Sequence, residues 1–113
     1  MAADARLTSA MLVGALRRRV AAAGGFATII VKGDEISGVI LVQALEKGRL
    51  SGLFERVSNF AGGHTLMRCG PLPEEGSEAL DHYIARRRRS DPDLWIIELD
   101  IPEAERFAVE TLC

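Results

Sequence analysis

The apolar residues of this chain change period at Gly24-Gly25, and that switch limits the folds open to it more than any other feature. Before the two glycines, Leu7, Met11, Leu12, Leu16 and Val20 recur at helical spacing. They predict one buried stripe on a helix over residues 7–23. Thr8 is placed as its N-cap, with Leu7 before it and Leu12 four residues on. After the glycines come short apolar runs rich in β-branched residues, the mark of strands. Residues 26–31 and 39–44 read as a β-hairpin around Lys32-Gly33-Asp34-Glu35. Glu46-Lys47-Gly48 is a further turn, leading into a weaker strand over 49–57 that contains Gly52. A fourth strand is expected over 64–69, with Thr65, Met67 and Cys69 on one face and His64, Leu66 and Arg68 on the other. The polar content of these two strands places them near a sheet edge or a solvated face.

Gly70-Pro71-Leu72-Pro73 ends this sheet run, and residues 74–89 read as a second helix. Glu74, Glu75 and Glu78 open it and Arg86 to Arg89 close it, the order a helix dipole favours. Leu80, Tyr83, Ile84 and Arg87 share one face. Pro92 forbids continuation and pushes Asp91 toward extended backbone. Residues 94–99 are apolar on both faces, which predicts a central strand covered on both sides. The tail, from Ile101 to Cys113, reads as a short helix starting at Pro102 and anchored by Phe107. The order predicts a single α+β domain over residues 1–113. Its sheet is a mostly antiparallel meander of about five strands, with two main helices and a short C-terminal helix. The second helix is long enough to cross over and let the last strand join parallel to a neighbour.

At 113 residues such a domain hides roughly two-thirds of its unfolded surface, so one core suffices without disulfide or metal. A hydrophobic content of 48% with 27% charged residues excludes a disordered chain. The net charge of −2 excludes a broadly basic nucleic-acid binder, though not a local basic patch. Cys69 and Cys113 form no disulfide framework and read as free thiols of a reducing compartment. No apolar run approaches the roughly 20 residues of a membrane span, and no signal-peptide pattern opens the chain. The expectation is a cytoplasmic protein without membrane association.

Four features bear on chemistry. In Arg86-Arg87-Arg88-Arg89, consecutive positions spread around the helix, so at least one arginine lies beside the buried stripe; Arg87 is the choice. None of the four has a carboxylate three or four residues earlier, and the same holds for Arg17 to Arg19. Partners are then Asp91, Asp93 or Glu98, or an external anion. With Arg68, the candidate anion or partner contacts are Arg17, Arg18, Arg68, Arg86, Arg87, Arg88 and Arg89. Against nucleic acid, only Tyr83 and Trp95 lie near the second cluster, thin for a stacking surface. Second, His64 and Cys69 stand on opposite faces of one strand, and Cys69 shares its face with Met67, which looks like core. His82 reads as a surface residue. No catalytic residue, metal site or cofactor is therefore expected. Third, Ala61-Gly62-Gly63 is a strand-to-strand loop and not a phosphate loop, because no helix opens there. Fourth, Asp91-Pro92-Asp93-Leu94-Trp95 reads as a stiff turn that places Trp95 as a core anchor.

The chain resembles a group of small alphaproteobacterial proteins known as domain of unknown function 1491. The likeness rests on Arg6-Leu7-Thr8-Ser9, Ala15-Leu16-Arg17-Arg18, Gly24-Gly25-Phe26-Ala27, Lys32-Gly33-Asp34, Gly38-Val39-Ile40-Leu41-Val42, Ala85-Arg86, Asp91 to Trp95, and Glu98. It spans about Arg6 to Phe107. The resemblance implies the fold and a bacterial cytoplasmic setting, with no activity, cofactor or catalytic residue. It also implies a basic residue and an aromatic around the fourth strand, where this chain has His64, Leu66 and Arg68. The function expected is a small non-enzymatic binding or protein-interaction module, self-association included. The alternatives are an anion or nucleic-acid binder that uses the arginine clusters, and an enzyme acting on a phosphorylated or carboxylated small molecule.

Overall fold

In the computed structural model, which describes residues 7–113, helix α1 (Ser9–Ala22) starts at Thr8, whose side chain accepts a hydrogen bond from the Met11 N–H. Gly24, at φ +89°, turns the chain out of the helix in the left-handed region that glycine tolerates. The buried stripe of α1 is Leu12, Val13, Leu16 and Val20 with Ser9, whereas Leu7 and Met11 are exposed. The expected stripe was thus rotated: Val13 belongs to it and Met11 does not. Arg6, part of the family likeness, lies outside the described residues.

The sheet contains β1 (Phe26–Val31), β2 (Ile40–Glu46), β3 (Arg49–Ser58), β4 (His64–Arg68) and β5 (Trp95–Asp100). Their order across the sheet is β1-β5-β2-β3-β4. β2, β3 and β4 form a meander, joined first by a two-residue turn with Lys47 at φ 53° and Gly48 at φ 80°. Two positive φ values in succession match the twist of a tight hairpin. The expected hairpin of β1 with β2 does not form. β5 inserts between them, antiparallel to β1 and parallel to β2. The sheet is therefore mixed, and "meander" describes only three of its strands. The insertion follows from burial: β5 is apolar on both faces and belongs inside the sheet, while β1 alternates half-buried and exposed residues.

A short 3-10 turn (Pro73–Glu75) precedes α2 (Ser77–Ser90), so Glu74 and Glu75 stand before the helix and not in its first turn. α2 crosses one face of the sheet. Ile84 packs there with Leu41, Leu94, Ile96, Val31, Val39 and Cys69. The other face carries α1 and α3 (Ala104–Leu112) over the larger core of Ile40, Val42, Ala44, Phe54, Trp95, Ile97 and Leu99. Fully buried side chains of this kind stabilise by roughly 1.5–3 kcal/mol each. α3 contributes Ala104, Ala108 and Leu112, with Phe107 half-buried. On β4 the core residue is Leu66. Met67 is 57% exposed and is not core, because an edge strand leaves one face to solvent.

Candidate functional site

Four of the sequence segments that carry the family likeness, those containing Ser9, Asp34, Gly38 and Asp93, meet at one corner. Asp34 organises the loop between β1 and β2: its Oδ2 accepts the N–H of Ile36 (3.1 Å) and of Ser37 (2.9 Å). These bonds hold its carboxyl below the usual carboxylate range. The Asp34 N–H donates to the Asp93 carbonyl (3.0 Å), and the Trp95 indole N–H donates to the Asp34 carbonyl (2.7 Å). Gly33 and Gly38 both press on the Asp93 carbonyl oxygen, so that a Cβ at either would lie 2.2 Å from it. Ser9 Oγ donates to the Gly38 carbonyl, and the first N–H groups of α1 donate to the carbonyls of Ile36 and Glu35. Asp91 Oδ1 accepts the Asp93 N–H, and Leu94 and Trp95 are buried. Asp91-Pro92-Asp93-Leu94-Trp95 thus joins the end of α2 to β5 and to the loop after β1 through these bonds. The corner fixes where β1 ends relative to the end of α2.

The arginines of α2 divide in function. Arg87 lies beside the buried stripe, and its Nη1 donates to Glu55 Oε1 (3.0 Å) and to the Tyr83 hydroxyl (2.7 Å). Burial would lower its pKa, but Glu55 and Tyr83 outweigh burial and raise it. Arg86 and Arg87 also approach the Tyr83 ring at 5.7 Å. The partners expected within the chain, Asp91, Asp93 and Glu98, pair with none of the four. Arg88 and Arg89 line an open groove with Val31, Lys32, Ala85, Asp91, Pro92 and Leu94. Its volume is about 470 Å³. Among the described residues no carboxylate stands within ion-pair distance of Arg88 or Arg89. Lys32 reaches only Glu35, at 3.9 Å between exposed groups.

The other cluster also splits. Arg19 bonds Glu110 (2.9 Å) and Thr111 (3.2 Å), tying α1 to α3. Arg17 and Arg18 line a second hollow of about 270 Å³ with Gly14, Ala21 and Ala27. Arg68 lies over the Phe54 ring at 5.1 Å, toward the opposite edge of the sheet. The arginines therefore do not converge on one pocket. Two groups border β1, one on each sheet face, and Arg68 joins neither.

Cysteine and histidine chemistry is not assembled. Burial pushes the Cys69 thiol up, and its polar neighbours are Tyr83, Glu55 and Arg87. His64 accepts at Nδ1 from Arg56 Nη2 (3.1 Å), since a guanidinium only donates. Burial, and then the Arg56 charge, lower the His64 pKa. His82 is exposed. Among the described residues no group of three or more His, Cys, Asp or Glu side chains is placed to hold a metal ion. The sequence reading missed Lys32 and Glu55 as members of these clusters. Lys32 had a signal, as one of only two lysines and at the end of an apolar strand. Glu55 had none, because its partner Arg87 stands 32 residues away.

Residues 7–109 match the model of a family described as "Protein of unknown function (DUF1491)". Three solved structures share the fold. The crystal structure of a DUF1491 family protein from Caulobacter crescentus CB15 is 32% identical with a TM-score of 0.78, covering 90% of this chain and 94% of that one. An NMR structure of a DUF1491 family protein from the same organism is 31% identical with a TM-score of 0.73, covering 89% and 91%. The solution structure of a protein from A. tumefaciens is 33% identical with a TM-score of 0.68, covering 95% and 92%. No curated protein matches the chain.

Proposed function

This chain belongs to the DUF1491 family, whose function is unknown, and from that premise we propose that it is a non-enzymatic binding module. The groove between the end of α2 and the end of β1 takes an anionic group, a phosphate or a carboxylate. One observation carries the reading: Lys32, Arg88 and Arg89, from two separate elements, surround an open groove without a carboxylate partner for either arginine among the described residues. A helix dipole accounts for cations at the end of α2, but not for Lys32 arriving from β1. The floor of Val31, Ala85, Pro92 and Leu94 adds apolar contact, and the three cations outnumber the Asp91 carboxylate that also lines the groove. Binding is favoured over catalysis because Cys69 and His64 lie in different surroundings and the Cys69 thiol is raised. Nucleic acid is disfavoured because Trp95 is buried and Tyr83 is engaged by Arg86 and Arg87. Free thiols at Cys69 and Cys113 suit a cytoplasmic setting.

Thermal shift against inorganic phosphate, citrate and nucleotides at low salt tests the groove. A ligand at a hundred times its Kd adds about 2.7 kcal/mol to stability. The expected result is a rise in Tm that salt suppresses and Arg88→Ala with Arg89→Ala removes. A flat series, or a rise retained in the double variant, overturns the reading.

A further inference from the structure

Resting on the anion-binding reading of the groove, we infer that the partner presenting the anion is an acidic, extended protein segment that adds as a strand to the free edge of β1. Among the described residues, β1 is an outer strand of the sheet and pairs with β5 alone. Its six residues, Phe26 to Val31, are uncharged and rich in β-branched side chains, and Phe26 and Ile30 are 75% and 50% exposed. Sheet proteins ordinarily guard such an edge with charge or proline. The opposite edge, β4, carries Arg68 and His64. At β1 the charges stand beside the edge and not on it. Ala27 borders the hollow of Arg17 and Arg18 and packs with the α1 face of the sheet. Val31 borders the groove of Lys32, Arg88 and Arg89 and packs with the α2 face.

Ala27 and Val31 are four residues apart and in a regular strand would share a face. The register shift between Ile29 and Val31 puts them on opposite faces. The edge is therefore flanked by cations above at one end and below at the other. An extended chain laid along β1 sends alternate side chains to opposite faces, with about 3.3 Å per residue. Two of its acidic residues meet both cationic groups only if an odd number of positions separates them. Three to five positions span about 10–17 Å. A second copy fits less well, since pairing β1 with its own symmetry mate gathers both sets of these cations at one junction without added acid.

The probes are labelled ten-residue peptides of Thr and Val with two glutamates, three positions apart in one and two apart in the other, read by fluorescence anisotropy. The three-apart peptide should bind at least tenfold tighter. Arg17→Glu with Arg18→Glu should weaken it at least tenfold, and so should Arg88→Glu with Arg89→Glu, each variant first shown to melt cooperatively. Hydrogen exchange of the β1 amides should slow on binding. If phosphate binds in the groove but the peptides do not, or bind without β1 protection, strand addition falls and the anion groove stands. If neither phosphate nor peptide binds, both readings fall. A dimer in size-exclusion light scattering that Thr28→Lys converts to monomer puts a second copy on β1 and also overturns the inference.

Discussion

Replacing Gly38 by alanine should cost this protein more stability than replacing Gly48, although Gly48 is the glycine with the unusual backbone. Gly48 has φ +80° and open space where a Cβ would go. The expected cost there is about 1 kcal/mol of left-handed strain. At Gly38 a Cβ would lie 2.2 Å from the Asp93 carbonyl oxygen, 2.8 Å from Trp95 Cδ1 and 3.0 Å from the Asp34 nitrogen. Two of these neighbours are backbone and the third is a buried indole, so none swings aside. Forced overpacking costs about 1–3 kcal/mol. Parting the Trp95 indole from the Asp34 carbonyl adds about 1 kcal/mol. A total near 3 kcal/mol follows. With about 2.1 cal/mol/K of unfolding entropy per residue, 113 residues melt with about 0.24 kcal/mol/K. Gly38→Ala should then lower Tm by roughly 12 °C and Gly48→Ala by roughly 4 °C. Calorimetry on the two variants decides it. A smaller drop for Gly38→Ala than for Gly48→Ala would refute the claim that the β1–β2 loop is locked against Asp93.

Three further outcomes follow from other contacts. Asp34 has a folded pKa below its unfolded value, so its contribution is present above about pH 4 and is lost as pH falls through the folded pKa; Asp34→Asn should flatten the acid limb of a Tm-versus-pH curve, and an unchanged limb would exclude Asp34 as its source. Arg87→Met should cost about 2 kcal/mol by stranding Glu55 and Tyr83, and Arg87→Met with Glu55→Gln should cost less than the two single changes added, by about 1 kcal/mol in denaturant titrations. Strict additivity would mean that the pair does not interact in solution. A thiol reagent at pH 8 should modify the exposed Cys113 well before the half-buried Cys69, because burial raises both thiols and access alone separates them; mass mapping that finds Cys69 labelled first would contradict the packing under α2.

Local chemistry was legible wherever a residue's role is decided within a turn or two of chain. Thr8 as N-cap, the glycine exit of α1, the Lys47-Gly48 turn, the crossover of α2 and the double-sided burial of β5 were all readable from neighbours in sequence. So was Arg87, because its position on the stripe of Leu80, Tyr83 and Ile84 follows from helix geometry alone. Strand partnership was not readable. Phe26–Val31 and Ile40–Glu46 lie close in sequence, and the preference for pairing near neighbours predicts a hairpin. Yet β5, fifty residues further on, buries both of its faces only by entering between them. That single insertion leaves β1 as an edge and brings Lys32 beside Arg88 and Arg89. Which arginines face open grooves was equally closed to sequence, since Glu55, Glu110 and Phe54 take Arg87, Arg19 and Arg68 from other elements. The elements and most of their buried faces follow from propensity and period alone, with Met11 and Met67 among the exceptions. Folding settles which strand is the edge and which cations line the grooves, because both are what remains after long-range contacts have been made.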